Sequence, residues 1–240
     1  MQDSLYVSLS AQVALEKRLT TIADNVANAN TVGFRSSQMK FEEVLAGPGT
    51  DATAFVKSGG TFLSAAKGGL QLTGNELDFA IKGEGWFAVQ TPGGQVLTRD
   101  GRFTMSPEGQ LLSVEGHPLV DPGGAPIQVD ADGGPISVGA DGFMRQNGQQ
   151  VGAIGLFRFE PNDNFQRYGN SGFIANGPVE PVVDVSTAGV VQGFVEASNV
   201  NPMLEMSHLI AAQRAFEGAA AAIKQTEATF GEAVRTLGGR

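Results

Sequence analysis

The strongest constraint on the fold of this 240-residue chain is a heptad pattern near its C-terminal end. Between residues 202 and 237, ten positions alternate spacings of three and four without a slip, and eight of the ten are apolar. Over about five heptads, such a pattern favours a coiled-coil seam, with an amphipathic helix packed on its own domain as the alternative. The seam positions are Met206, Leu209, Gln213, Phe216, Ala220, Ile223, Glu227, Phe230, Val234 and Leu237.

A shorter heptad pattern occupies the N-terminal end, from residue 3 to about residue 30. Gly33 ends it, because glycine adopts a left-handed backbone at little cost. For the C-terminal helix, Asn201 is a suitable N-cap and Pro202 suits the first turn. The N-terminal seam positions are Leu5, Leu15, Leu19, Ile22 and Val26, with Ser8, Gln12 and Ala29 completing the spacing.

The two predicted helices lie at opposite ends of the chain, and the sequence contains no third helix that could cover both seams. If they pair with each other, two helices alone still leave apolar surface exposed, and exposed apolar stripes mark interaction surfaces. Other copies of the chain are the simplest partner. Gln213 and Glu227 interrupt the seam, so they either specify the register of a buried contact or face solvent at its edge.

The middle of the chain has a different pattern, in which short apolar runs alternate with Gly, Pro, Asp and Asn between residues 76 and 197. Turn signals recur every 8 to 12 residues or so, which is typical of an all-β sandwich or barrel. Asp100-Gly101, between two strand-like runs, predicts a hairpin. Further turns are predicted at Gly93-Gly94, Glu108-Gly109, Gly123-Gly124, Asp141-Gly142 and Asn147-Gly148.

The predicted fold class is therefore α+β, with an all-β middle domain flanked by heptad helices that pair in a coiled-coil-like domain. Residues 1–34 and 198–240 form a discontinuous helical polymerisation domain in this interpretation. Residues 35–75, rich in small residues, form a connector that is extended or partly ordered. Residues 76–197 form the β-rich body.

Composition excludes several classes of function. The net charge of −9 and the pI of about 4.7 disfavour nucleic acid, because a binding face for phosphate needs positive charge. The chain has no cysteine, so it has neither disulfides nor a cysteine-based metal site. It also lacks an apolar run of membrane-spanning length. Its first residues have neither a basic start nor an unbroken apolar core, so we expect no cleavable secretory signal. An extracytoplasmic location would need an export route that uses no such signal.

The sequence contains no legible catalytic pattern. Residues 83–85 are only a fragment of a dinucleotide-binding motif, and no helical pattern follows them. Residues 130–134 resemble the start of a calcium loop, but Pro135 replaces the required glycine and the twelfth position is not glutamate. The two histidines, His117 and His208, are far apart in sequence and suit a surface or an interface. We expect no enzyme activity, small-molecule substrate, catalytic residue, metal or cofactor.

Residues 24–34, Asp-Asn-Val-Ala-Asn-Ala-Asn-Thr-Val-Gly-Phe, resemble the signature of flagellar rod and hook proteins. That signature runs roughly Asn-Asn-Leu-Ala-Asn-x-x-Thr-x-Gly-Phe. Asp24 and Val26 depart from it, and both keep the size and character of the usual residue. The signature residues, together with those of a second motif near the C-terminal helix, are Asn25, Asn28, Asn30, Thr31, Gly33, Phe34, Asn199, Asn201 and Pro202.

Two further segments carry the same resemblance. Residues 198–206 and 213–217 are similar to the C-terminal hallmark of this family, and residues 83–87 and 98–103 resemble its β domain. The short length and the opening residues 4–7 are most similar to proximal-rod members, with distal-rod or hook-type members as the alternative. A more distant alternative, from the residues alone, is a secreted adhesin or binding module.

The resemblance implies a structural subunit of the bacterial flagellar basal body that assembles through its terminal helices into a torque-transmitting tubular shaft. The implied partners are copies of itself, other rod proteins and the flagellar type III export apparatus. The implied location is the rod that crosses the periplasm, reached without a cleaved signal.

Overall fold

Two long helices flank a body of short strands, as the α+β prediction requires. A computed structural model describes residues 2–46, 53–159, 165–174, 179–182 and 188–238. Inside these ranges the side chains of residues 2–5, 42–46, 53–58 and 237 lie outside the description, so those of Leu5 and Leu237 are not discussed. Neither described helix is long and apolar enough to cross a membrane.

Helix α1 spans Gln2–Ala27 and helix α2 spans Pro202–Gly238. α1 ends three residues before the predicted limit, and Asn28 begins a turn in which Thr31 donates from Oγ1 to the Asn28 side chain at 3.0 Å. The predicted N-cap of α2 is confirmed, since the Asn201 side chain accepts a hydrogen bond from the Leu204 N–H at 3.2 Å. Local chemistry therefore sets both of these helix ends.

The strands between the helices are short. In chain order they are β1 (Ser37–Ala46), β2 (Thr53–Leu63), β3 (Leu70–Leu72), β4 (Phe79–Gly83), β5 (Trp86–Thr91), β6 (Gly94–Thr98), β7 (Phe103–Met105), β8 (Leu111–Ser113), β9 (Ile136–Val138), β10 (Phe143–Gln146), β11 (Gln149–Ala153), β12 (Leu156–Arg158), β13 (Gln166–Tyr168), β14 (Gly172–Ile174), β15 (Glu180–Pro181), β16 (Ala188–Gln192) and β17 (Phe194–Glu196).

The chain divides into two compact units. The helical unit consists of Met1–Ala27, Ser37–Phe62 and Asn201–Arg240, so it contains both helices, β1 and most of β2, which pair with each other. The β unit consists of Asn28–Ser36 and Leu63–Val200. The β1–β2 pair lies in the span that the sequence leaves as a connector, which is thus partly ordered.

The β unit is built around a six-stranded sheet with the order β13-β14-β6-β5-β12-β15. Alternation along β5 sends Phe87 and Val89 into one buried cluster, and Trp86 and Ala88 into another. Both faces of this strand are therefore covered, which explains its unbroken apolar sequence. Phe103 packs edge-on against Phe87, with ring centroids 5.6 Å apart.

Three smaller sheets, β11-β10-β9, β16-β4 and β7-β8, contribute side chains to the cluster that contains Phe87, and β17 pairs with β3. The predicted turn at Asn147-Gly148 joins β10 to β11, with both residues at positive φ (51° and 79°), as a two-residue hairpin of this type requires. The segments at Gly93-Gly94, Glu108-Gly109, Gly123-Gly124 and Asp141-Gly142 also form turns.

The predicted hairpin at Asp100-Gly101 is wrong. β6 pairs with β5 and β14, whereas β7 pairs with β8, so the chain leaves one sheet for another at this point. The reason is tertiary: a Cβ at Gly101 would collide with the Phe79 carbonyl, and the Gly101 carbonyl accepts a hydrogen bond from the Phe79 N–H at 2.8 Å. Glycine permits this close backbone approach rather than a hairpin turn.

Candidate assembly surface

The predicted seam of α1 lies on the less exposed face of that helix. Ile22 is buried, and Leu15, Leu19 and Val26 are partly buried. Within the helical unit, α1 contacts both α2 and β1, which supply the cover for this face. The apolar spacing of α1 thus reflects contacts made within the chain.

On α2, the predicted seam divides into covered and exposed positions. Leu209, Phe216, Ala220, Ile223 and Phe230 are partly buried, whereas Met206, Gln213, Glu227 and Val234 are exposed.

The covered face of α2 has two columns of residues. The column of Leu209 and Phe216 was predicted, whereas the other column lies one residue earlier than predicted. It contains Glu205, Ala212, Ala219 and Thr226, which are less exposed than their neighbours at 206, 213 and 227. Small residues such as alanine let two helices approach closely. The predicted and the observed heptad registers share the column of Leu209 and Phe216. Counting apolar residues at the heptad positions therefore does not decide between the two registers.

Each helix also carries an exposed apolar stripe, and of the stripe residues only Met206 belongs to the predicted seam. On α1 it consists of Tyr6, Leu9 and Val13, and on α2 of Met203, Met206 and Ile210. Their exposed fractions run from 45% for Val13 to 75% for Met203. Each stripe has the spacing i, i+3, i+7, which places its members on one helix face. This spacing of apolar residues is visible in the sequence and is the signal from which the two stripes could have been predicted.

Signature residue Asn25 organises the helical unit from a buried position, being 2% exposed. Its side-chain oxygen accepts a hydrogen bond from the Ser37 N–H at 2.9 Å, and its amide donates to the Ser37 carbonyl at 2.9 Å. The same amide lies 3.4 Å from a Glu205 carboxylate oxygen. One side chain of α1 therefore holds the first residue of β1 and approaches the first turn of α2.

Asn25 also lines a groove of about 360 Å³ in the helical unit. Its lining includes Arg18, whose guanidinium lies 5.9 Å from the Phe41 ring centre, and His208, whose Nδ1 lies 3.7 Å from a Glu205 oxygen. Across the described residues, no group of three or more His, Asp or Glu side chains is placed to hold a metal ion.

The other signature residues near the first helix belong to the β unit. Gly33 has φ of 71° and lies directly against the Arg99–Asp100 backbone, so a side chain at this position would collide. Phe34 is buried, with the Arg167 guanidinium 4.6 Å from its ring centre. Asn30 is exposed.

Asn199, from the second motif, binds the chain just after Phe34. Its side-chain oxygen accepts a hydrogen bond from the Ser36 N–H at 2.7 Å. Its amide donates to the Ala66 carbonyl at 2.8 Å, and its backbone N–H donates to the Phe34 carbonyl at 3.3 Å. Within the β unit, residues of the two family motifs are thus in direct contact.

A buried ion cluster that sequence reasoning missed lies beside this contact. The Glu196 carboxylate accepts from Arg35 at 2.6 Å and from Arg99 at 2.9 Å. The guanidinium carbons of the two arginines lie 5.8 and 5.3 Å from the Trp86 ring centre. Burial lowers the pKa of both arginines, and the Glu196 charge opposes that shift. The same side chains bind backbone groups, since Arg35 donates to the Ala66 carbonyl, Arg99 donates to the Gly83 carbonyl and Glu196 accepts from the Gly68 N–H, so the cluster holds backbone segments together.

Three family profiles match separate parts of the chain. The one described as "Flagella basal body rod protein" matches residues 5–35. That of the "Flagellar hook protein FlgE/F/G D1 domain" matches residues 80–145. That of the "Flagellar basal body rod FlgEFG protein C-terminal" matches residues 191–236. Together they cover α1, much of the β unit and α2.

Full-length relatives point the same way. The flagellar basal-body rod protein FlgF of Mesorhizobium japonicum is 59% identical over 240 residues, which is the whole of both chains. FlgF of Rhizobium meliloti is 50% identical, covering 100% of this chain and 99% of its own. The rod protein FlgG of Bacillus subtilis is 30% identical, covering 90% and 92%. Similarity to the FlgF relatives is therefore clearly greater than to this FlgG.

Proposed function

The chain belongs to the flagellar basal-body rod protein family, and we propose that it is a structural subunit of the proximal rod that assembles through its terminal helices. Support for the proximal position comes from the full-length FlgF relatives at 59% and 50% identity, against 30% for a FlgG. The family is one of structural rod components, and we propose no enzyme activity.

The observation that carries this proposal is the pair of exposed apolar stripes, Tyr6-Leu9-Val13 on α1 and Met203-Met206-Ile210 on α2. Surfaces of this kind on a soluble chain mark protein interaction sites. Different surfaces that meet head to tail generate open helical arrays, which suits a shaft. Copies of this chain and other rod proteins are the proposed partners.

In this proposal the helices pair as a coiled-coil-like element, and the exposed seam members Met206, Gln213, Glu227 and Val234 join contacts with neighbouring subunits. The covered column of Leu209 and Phe216 stabilises each helix pair first. Dense helix packing between many subunits would then give the stiffness that torque transmission needs.

The β unit, in the proposal, closes as a sandwich or barrel-like body that braces neighbouring subunits. The proposed route to the rod, which crosses the periplasm, is the flagellar type III export apparatus. The absence of cysteine suits such a route, because an exported chain without thiols forms no unwanted disulfides.

Electron micrographs of basal bodies from a deletion strain test the assignment directly. We expect rods that stop short and cells that do not swim, both restored by the wild-type gene. Complementation with Ile210→Asp should fail, since a carboxylate would then lie in an apolar contact. Ala211→Asp, an exposed position beside the stripe, is the matched control and should restore swimming. Complete rods without this gene would defeat the proposal.

Concentration dependence separates this function from that of a secreted binding module. A rod subunit is expected to associate as the concentration rises, and a binding module stays monomeric. Sedimentation of the purified full chain over a wide concentration range would distinguish them.

A further inference from the structure

The polypeptide passes between the helical unit and the β unit four times, after Ala27, Ser36, Phe62 and Val200. Three segments of the β unit adjoin these four crossings. They are the strap Asn28–Ser36, the start of the segment that follows Phe62, and the stretch after β17 that ends at Val200. All three are bound to one another inside the β unit.

We propose that Arg35, Glu196 and Asn199 form a latch that holds the strap and residues 64–68 rigidly on the β unit, so that the chain crossings stay stiff when the rod turns under load. The mechanical part of this inference rests on the proposed function. The latch residues are positioning residues, since their role is to fix backbone segments.

The strap is held from two sides. The Gly33 N–H donates to the Glu196 carbonyl at 2.7 Å, and the Arg35 side chain binds the Glu196 carboxylate at 2.6 Å. The Ser36 N–H donates to the Asn199 side chain at 2.7 Å. Arg167 donates to the Arg35 carbonyl at 2.7 Å, so the strap backbone is also anchored to β13.

The segment after β2 is held by the same three residues. The Arg35 guanidinium and the Asn199 amide both donate to the Ala66 carbonyl. The Gly68 N–H donates to a Glu196 carboxylate oxygen at 2.9 Å. In addition, the Ser64 N–H donates to the Ser36 carbonyl at 2.9 Å, which joins the segment to the strap.

Arg99 connects the latch to the core of the β unit. It binds Glu196 at 2.9 Å and donates to the Gly83 carbonyl of β4 at 3.1 Å. Side chains of Arg35, Arg99 and Glu196 are between 2% and 4% exposed, so opening the latch would separate buried charges. Buried charges that lose their partner are strongly unfavourable, which makes the closed latch a stiff element rather than a loose contact.

Hydrogen exchange of the purified full chain tests the latch, because the amides of Gly33, Ser36, Ser64 and Gly68 all donate within it. In Arg35→Met, Glu196 keeps Arg99 as its partner, so the β core should keep its melting temperature. Peptides covering residues 31–36 and 64–68 should nevertheless exchange at least about tenfold faster than in the wild type.

Asn199→Ala gives an independent arm. Asn199 is only partly buried and uncharged, so this variant removes two hydrogen bonds without stranding a buried charge and should fold even if Arg35→Met does not. The same two peptides should exchange faster. Arg35→Lys keeps the charge but cannot reach two acceptors as a guanidinium does, so its exchange should be intermediate.

Two variants serve as matched controls. Arg145→Met removes an arginine from a surface pair with Asp141 at 3.6 Å, and Asn170→Ala removes an exposed asparagine of the β unit. Both should leave exchange in the latch peptides unchanged. Complemented strains carrying Arg35→Met or Asn199→Ala should swim normally in dilute medium and lose speed in viscous medium.

The outcomes separate the latch from the proposed function. Unchanged exchange in the latch peptides of both variants, or an equal rise throughout the β core, overturns the latch. Faster exchange with wild-type speed in viscous medium overturns its mechanical role. Normal rods and swimming in a deletion strain instead defeat the proposed function. The exchange results would still test the latch in that case, because they are measured on the purified chain.

Discussion

The side chain of Asn25 forms two hydrogen bonds with the backbone of Ser37, accepting from its N–H and donating to its carbonyl, both at 2.9 Å. The Asn25 amide group thus makes the two hydrogen bonds that a backbone peptide of a neighbouring strand would make, and in this way the end of α1 is joined to the start of β1. Both residues are buried, which makes the contact important for the stability of the helical unit.

We predict that Asn25→Ala lowers the free energy of unfolding of the helical unit by about 1–3 kcal/mol, because a buried peptide group loses two hydrogen bonds. Helical circular dichroism during denaturation would measure this loss. Asn30→Ala is the matched control, since Asn30 belongs to the same signature but is exposed and should be near neutral. Equal stability of both variants would contradict the role of Asn25.

Charge on the covered seam should prevent assembly and spare the β unit. Phe216 is partly buried midway along α2, and in an assembled rod Phe216→Asp would bury an unpaired carboxylate at a cost of several kcal/mol. Ile22→Asp on α1 should behave alike. We expect loss of swimming with an unchanged melting transition of the β unit.

Glu217→Ala is the control for that substitution. Glu217 is exposed, and its one described hydrogen bond is the 3.2 Å contact with the Gln213 amide, so the variant should swim normally. Normal motility of Phe216→Asp would defeat the seam assignment. Loss of the β-unit transition would instead mean that α2 belongs to the core of that unit.

Limited proteolysis of a dilute monomer should trim both terminal helices and leave a resistant core that contains residues 64–200 with the strap still bound. A helical unit that exposes apolar stripes is marginal in water, whereas the β unit has two buried clusters. Mass spectrometry of the fragments would measure this, and protection of both termini in the monomer would refute it.

Thermal stability should be independent of metal ions. The chain has no cysteine, and the described residues contain no group of acidic or histidine side chains placed to hold a metal ion. Melting curves with and without a strong chelator should coincide. A clear fall in the melting temperature on chelation would reveal a metal site.

Much of the secondary structure can be predicted from short-range patterns in the sequence. The heptad spacing predicted α1 and α2, and the Asn201 cap and the Asn147-Gly148 turn formed as expected. Such features are predictable because they depend on residues only a few positions apart, where propensity and side-chain capping act directly.

Residues far apart in sequence decided the rest. Ser36 and Asn199 are 163 positions apart, and no local pattern indicates that one would bind the other. Arg35, Arg99 and Glu196 are also far apart in sequence, and only the fold brings the three side chains together, with both arginines beside Trp86. Likewise, contact with Phe79 rather than a turn preference explains Gly101, and helix pairing decided which register of α2 is covered. Sequence alone thus determined the local elements and the family, whereas tertiary packing chose their partners, because the burial that stabilises those contacts exists only once the chain has folded.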